Sequence, residues 1–367
     1  MIPIPPRIKK LARIRDADYD KYHDMLENNA PHIETIINPE VEVVKNIDNL
    51  MSVPGAVDVG EFAQGRVKFV GINLDKDTEL AGTRLMDLPS KTGKRILIAA
   101  VVRDERLIIP RGDDILMPGD LIYIIAEETN LLDTLSVFNK KAEPVRRVLI
   151  VGGGRIGLRL AKILEKKSIK TKIVEKCPAT CDALAEKLDK TVVLCGDGSD
   201  QSLLAEENVK SMDVIVTLTD EEETNILTSL MCKKMGARKV ITKISKFSYF
   251  DLMSAIGMEQ VVNLRLSAIN SILRYIRKGK VLSSRSLRGE EAEVMEAVAP
   301  DSSDIVGKPL KNIKMPKGSL VTTIIRNEEV IIPSGESMIQ PEDRIIIFAM
   351  REAISKIEKI IEAKLEH

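Results

Sequence analysis

Between about Val145 and Leu266, short apolar runs alternate with stretches whose apolar positions recur every three or four residues. Val148-Leu149-Ile150-Val151 reads as a strand, and Ile156 to Lys167 as a helix with Leu158, Ala161 and Leu164 facing inward. The alternation continues through a strand at Lys172-Ile173-Val174, a helix over Cys177 to Leu188, a strand over Thr191 to Cys195 and a helix over Ser199 to Asn208. It closes with a strand over Asp213 to Leu218, a helix over Glu221 to Met235, and strands over Val240 to Ile244 and Val261 to Leu264. Strands this apolar, each followed by a helix, predict an α/β fold with a doubly wound parallel sheet covered on both faces.

The flanking segments follow a different rhythm, and they repeat each other. Leu107-Ile108-Ile109-Pro110-Arg111-Gly112 corresponds to Val330-Ile331-Ile332-Pro333-Ser334-Gly335. Pro118-Gly119-Asp120-Leu121-Ile122-Tyr123-Ile124-Ile125-Ala126 corresponds to Pro341-Glu342-Asp343-Arg344-Ile345-Ile346-Ile347-Phe348-Ala349. Upstream, Ile98 to Glu105 matches Val321 to Glu328. Duplication of one small α+β unit explains this better than chance. Each copy predicts a strand, a tight turn (Asp104-Glu105 in the first), a second strand (Arg106 to Pro110) and a strand after the Pro-x-Asp turn. A closing helix follows, capped by Thr129 and running to about Phe138 in the first copy, and starting near Ala353 in the second.

The first 40 residues resemble the end of the alternating unit. Lys9 to Arg15 parallels Arg238 to Ile244, Tyr19 to Met25 parallels the helix at Tyr249 to Met253, and Ile33 to Asn38 parallels the strand at Val261 to Leu264. A connecting helix follows in both places, over Val43 to Met51 and Ser267 to Arg277. The expected organisation is therefore a remnant of one Rossmann-like unit (1–40), a small unit (41–140), a complete Rossmann-like unit (145–266) and a second small unit (267–367).

Composition narrows the function classes. The 367 residues carry 55 Lys+Arg and 55 Asp+Glu, so no bulk positive charge recommends nucleic acid as a partner. Aromatics are 3% with no Trp, which argues against a base-stacking surface and assigns the core to aliphatic side chains. No apolar run reaches the length of a membrane span, and 44% hydrophobic with 30% charged residues fits a soluble globular chain. Cys177, Cys181, Cys195 and Cys232 have no His near them and read as free thiols in a reducing cytoplasm rather than as a disulfide or metal site.

The candidate chemistry lies at strand ends. Gly152-Gly153-Gly154-Arg155-Ile156-Gly157 is a G-x-G-x-x-G sequence that follows a strand and opens a helix, the context in which that pattern predicts dinucleotide binding. Gly152 allows the turn, Gly154 lets backbone approach a pyrophosphate, and Gly157 lets helix and sheet pack closely. The helix N-terminus offers free N–H groups to phosphate, and Arg155 a charge-assisted contact. Glu175 ends the second strand about 20 residues on, where a carboxylate accepts from ribose hydroxyls and disfavours a 2′-phosphate, or simply meets solvent. Asp197, in Gly-Asp-Gly-Ser-Asp, either meets the adenine side of a ligand or belongs to a helix cap formed with Ser199 or Asp200. Thr219 and Asp220 follow the fourth strand, and Glu221-Glu222-Glu223 reads as a first-turn acidic cluster or as a holder of a cation beside phosphates. Lys243 on the fifth strand either reaches phosphate or is a solvated strand end. The three His, at 23, 32 and 367, lie outside this unit, no acid, base or nucleophile set accompanies it, and G-x-x-x-x-G-K-[ST] is missing.

Taken together, the order of units, the Gly-rich turn, Gly-Asp-Gly-Ser-Asp, Thr-Leu-Thr-Asp-Glu-Glu-Glu-Thr-Asn and the paired Ile-Ile-Pro…Pro-x-Asp segments resemble the TrkA family from about Ile8 onward. That family comprises cytoplasmic regulatory subunits of Trk-type potassium uptake systems, built from RCK-type nucleotide-binding domains and their companions. The resemblance implies a homo-oligomer, dimer or tetramer, on the inner face of the membrane beneath a potassium-translocating subunit of the TrkH or KtrB type. It implies gating by NAD(H), or by ATP/ADP as in related systems. It places phosphates at Gly152, Gly154, Arg155, Ile156 and Gly157, ribose at Glu175, and the adenosine side at Asp197, Thr219 and Asp220, with Lys243 alongside. Arg13 or Arg15 stands where Lys243 does and reads as a relic of a first site. The sequence departs from the family in lacking the first Gly-rich half, and its ending Leu365-Glu366-His367 reads as a vector-derived addition. The competing readings are an NAD-dependent oxidoreductase and an interaction scaffold whose Gly-rich turn stays empty.

Overall fold

The computed structural model describes residues 11–13, 35–76, 78–258, 260–276, 281–289 and 291–361. The expected helix at Tyr19 to Met25, Arg15, and the last residues Leu365 to His367 lie outside these. The chain divides into two compact units, one made of Met1–Asp48 with Val145–Ile272, the other of Asn49–Pro144 with Leu273–His367.

In the first unit, β1 (Leu11–Arg13) and β2 (Thr35–Ile37) pair in parallel and lead into α1 (Pro39–Ser52). The alternating segment then forms β3 (Arg147–Val151), α2 (Arg155–Lys166), β4 (Lys170–Glu175), α3 (Pro178–Lys187), β5 (Val192–Cys195), α4 (Gln201–Glu206) and β6 (Val214–Thr217). It ends with α5 (Glu222–Lys234), β7 (Val240–Ile244), α6 (Tyr249–Ala255), β8 (Val261–Asn263) and α7 (Leu264–Ile276). Six parallel strands lie in the order β5-β4-β3-β6-β7-β8. The chain winds outward from β3 one way and then from β6 the other, the Rossmann-like arrangement with its crevice between those two strands. Continuous apolar runs make this possible. All four residues of β6 and all five of β7 are buried, because helices cover both faces.

Register makes the resemblance between the two strand pairs concrete. Arg13 lies opposite Ile37, one residue before Asn38. Lys243 lies opposite Val262, one residue before Asn263. Each Asn then accepts from a backbone N–H in the first turn of its helix, Asn38 from Glu40 and Asn263 from Leu266. Of the two arginines considered, Arg13 is thus the register counterpart of Lys243.

The second unit holds two five-stranded antiparallel sheets of identical topology. One runs Ala56–Phe62, Val67–Asn73, Leu121–Glu127, Leu97–Arg103, Arg106–Ile108, the other Val281–Leu287, Ala292–Val298, Arg344–Met350, Ser319–Arg326, Glu329–Ile331. Asp104-Glu105 and Asn327-Glu328 both take positive φ, the turn that a two-residue hairpin demands. The repeated Pro-x-Asp has a physical cause. Asp120 accepts from Arg103 Nε and Nη2 at 2.7 and 2.6 Å and from Met117 N–H at 2.8 Å. Asp343 does the same with Arg326 at 2.9 and 2.7 Å and with Gln340 N–H at 2.7 Å. Each carboxylate pins a turn to the far end of a neighbouring strand.

Two expectations are corrected here. The strand after the first tight turn stops at Ile108 rather than Pro110, since Pro offers no N–H to a ladder. The first closing helix is Leu131–Ser136, entered through a 3₁₀ turn at Glu128–Asn130, and Thr129 makes no side-chain cap. The aliphatic core holds, with one refinement. Phe69, Tyr123 and Phe348 stack in the shared core of the two small sheets, with Phe69 5.1 Å from Tyr123 and 6.2 Å from Phe348. Each buried ring of this kind contributes roughly 1.5–3 kcal/mol. Among the described residues, no helix is long and apolar enough to cross a membrane.

Candidate functional site

The Gly-rich turn follows β3 at the sheet's carboxyl edge. Gly152 has φ +109°, and a Cβ there would sit 2.8 Å from the Leu218 carbonyl carbon and the Thr219 nitrogen. The turns after β3 and β6 therefore touch, and only a residue without a side chain fits. A Cβ on Gly157 would collide with the Gly152 carbonyl oxygen, so the first turn of α2 folds directly over the strand end. Gly154 is different. It is exposed, and a Cβ there would meet nothing within 4 Å. It is also the N-cap of a twelve-residue helix, whose first turn carries N–H groups without helical partners. Ile156 buries its side chain, which leaves its backbone as the part available to a ligand.

Glu175 ends β4 and reaches back across this turn. Its Oε2 accepts from Gly153 N–H at 2.7 Å and its Oε1 from Cys177 N–H at 2.9 Å. The carboxylate is thereby fixed beside the turn rather than loose in solvent. Asp197, after β5, accepts from the amide and hydroxyl of Ser199 at 2.9 and 2.7 Å, and Lys176 approaches to 3.0 Å. Those hydrogen bonds, with the lysine adding to them, lower the Asp197 carboxyl to about 2. The helix cap proper is Asp200, which accepts from Ser202 N–H at 2.8 Å. Asp197 thus organises the loop before α4 while the next acid caps the helix.

After β6, Asn225 is the organising residue, and sequence reasoning gave it no role. It is fully buried on α5, accepts from the Thr219 amide and hydroxyl at 2.9 and 2.8 Å, and donates to the carbonyls of Thr219 and Lys243 at 3.0 and 3.2 Å. One side chain thus holds the ends of β6 and β7 together. Beneath it, Ser229 bridges Thr217 and Thr242 at 2.9 and 2.8 Å. The Lys243 ammonium, on a mostly buried stem, donates to the Leu218 carbonyl and to Asp220, both at 3.3 Å, whereas the Asp220 side chain is fully exposed. Lys243 is therefore a partnered group at the sheet edge and not a solvated strand end.

Arg155 is engaged in an unexpected way. Its Nε donates to Glu40 Oε1 and Oε2 at 3.0 and 3.1 Å, and its Nη2 lies 2.8 Å from Oε1. Glu40 sits in the first turn of α1, 5% exposed, where the helix dipole favours its charge. The sequence pattern starts this helix at Val43 rather than Pro39, so nothing in it singled out Glu40, 115 residues away from Arg155.

Both the parallel-sheet segment and the two small-sheet segments match known family models. TrkA-N domains match residues 148–264, and TrkA-C domains match twice, at 69–139 and 294–362. The chain belongs to the TrkA family. The Trk system potassium uptake protein TrkA homolog 1 of Methanosarcina mazei is 34% identical over 352 residues, covering 96% of this chain and 78% of that one. The TrkA of Halomonas elongata is 34% identical over 364 residues, covering 97% and 79%. Among solved structures, the GsuK RCK domain superposes with a TM-score of 0.50 at 16% identity, covering 96% of this chain and 75% of that one. The GsuK channel does so at 0.51, also 16% identical, covering 96% and 62%. At that identity the likeness speaks for the fold alone. The candidate positions from Gly152 to Lys243 all fall within the TrkA-N match, and Glu40 lies outside it.

Proposed function

We propose that this TrkA-family chain is a cytoplasmic regulatory subunit of a Trk-type potassium uptake system, one that senses an adenine nucleotide and acts by binding rather than catalysis. The observation that carries the reading is the open backbone at Gly154, framed by two glycines that cannot be replaced sterically and faced by the fixed Glu175 carboxylate. In this reading the pyrophosphate lies along Gly152 to Gly157 with Arg155 beside it. Ribose hydroxyls meet Glu175, which favours NAD(H) over a 2′-phosphorylated cofactor. Asp197, Thr219 and Asp220 line the adenosine side, with Lys243 below. ADP and ATP present the same adenosine and phosphate groups and are the alternative ligands. The names of the relatives support potassium uptake as the process served; in this reading the partner is a membrane subunit of the TrkH or KtrB type and the assembly is homo-oligomeric. Ligand binding changes such an assembly only through unequal affinity for two of its states.

Calorimetry of the full chain with NADH, NAD⁺, ADP and ATP tests this. Gly154→Asp fits its open surroundings, so the fold is expected to persist by circular dichroism. Its carboxylate would face phosphate at close range, where like charges about 4 Å apart cost up to about 4 kcal/mol. Affinity is expected to fall at least about 100-fold. Unchanged affinity, or no nucleotide binding by the folded wild-type chain, would overturn the reading.

A further inference from the structure

Three of the four cysteines lie where β4, β5 and α3 come together: Cys177 just before α3, Cys181 on it and Cys195 at the end of β5. Cys195 is the last residue of β5 and lies directly opposite Glu175 in the parallel register. The Glu175 carbonyl oxygen accepts from Gly196 N–H at 2.9 Å and from the Cys181 thiol at 3.3 Å. Cys181 Sγ and the Cys195–Gly196 peptide therefore share one acceptor, which seats the Cys181 thiol beside the end of β5. Cys181 is buried under the start of α3 and Cys195 is exposed at the sheet's edge strand.

We propose that Cys181 and Cys195 form an oxidisable thiol pair, a modification site for small peroxides. The exposed partner reacts first. Cys195 gives up its thiol proton, its sulfur attacks the peroxide O–O bond, and a sulfenic acid forms while hydroxide takes that proton as water. Cys181 then attacks the Cys195 sulfur, forming the S–S bond, and the sulfenic hydroxyl leaves with the Cys181 proton as a second water. Two thiols and one hydrogen peroxide thus give one disulfide and two waters, the sulfurs being oxidised and the peroxide oxygens reduced. Burial holds the Cys181 thiol above its ordinary range, which keeps it inert until its neighbour is activated. The bond would tie the first turns of α3 to the end of β5, immediately before Gly196 and Asp197.

The test is peptide mapping by mass spectrometry of the full wild-type chain after stoichiometric hydrogen peroxide. Cys177, which is exposed, and Cys232, which is fully buried in the sheet core, serve as internal controls. The expected product is a Cys181–Cys195 cross-linked peptide that dithiothreitol reverses, with Cys232 untouched. In Cys181→Ser, Cys195 should instead stop at a sulfenic acid that dimedone traps. Cross-links joining Cys177 to either thiol, or Cys195 over-oxidised while Cys181 stays alkylatable, would overturn the proposal.

Discussion

Asp197 accepts two hydrogen bonds from Ser199 and is approached by Lys176, which lowers its carboxyl from 3.8 to about 2. A group whose pKa is depressed by folding contributes stability that is present above the unfolded value and lost as pH falls through the folded one. The window is therefore pH 4 down to 2. In thermal melts, the gap between wild type and Asp197→Asn should be constant at neutral pH and close between pH 4 and 2. The effect will be small because the side chain is 42% exposed. The residue scale is also where the sequence was most legible. Glycine spacing after an apolar strand announces a steric requirement, and Gly152 and Gly157 meet it against backbone atoms. Glu175 was placed by its distance along the chain. Its two amide donors were not visible, because they depend on how the turn closes.

Elements add a layer that spacing does not encode. The ends of β6 and β7 are joined through α5, by Asn225 above and by the Thr217–Ser229–Thr242 hydroxyls below. Asn225→Ala would leave the Thr219 amide and the carbonyls of Thr219 and Lys243 short of a buried partner. A loss of about 2–4 kcal/mol in urea unfolding is expected. Asn225→Asp should cost a comparable amount, since a carboxylate cannot donate to those carbonyls. A buried Asn on a helix looks in sequence like an indifferent polar residue, and only the tertiary neighbours give it weight. The helix starts carry the same lesson. Asp200 rather than Ser199 caps α4, and the cap expected at Thr129 gives way to a 3₁₀ turn.

At the scale of the whole chain, duplication is the dominant fact, and sequence alone exposed it. Its physical basis was hidden until Arg103 met Asp120 and Arg326 met Asp343. These carboxylates are 2% and 3% exposed, each within two polarised bonds of a guanidinium that is itself partly solvated. Asp120→Asn and Asp343→Asn should each cost about 2 kcal/mol, smaller than a fully buried pair because each arginine keeps some water. Equal shifts in the unfolding midpoint would mark the two copies as energetic equivalents, and a cost confined to one copy would show that they have diverged. The few aromatics were legible as scarce but not as concentrated. That Phe69, Tyr123 and Phe348 gather in one shared core follows from sheets meeting face to face, which no local pattern reports.

The Glu40–Arg155 pair gives the Gly-rich turn an internal counter-anion. Under the proposed function, a phosphate arriving there would meet a guanidinium already paired with a carboxylate rather than a bare cation. A carboxylate parted from that guanidinium would remain 5% exposed in the first turn of its helix. If the turn binds phosphate as proposed, its occupancy would be felt at residue 40, on the helix that carries the chain from β2 to Ser52.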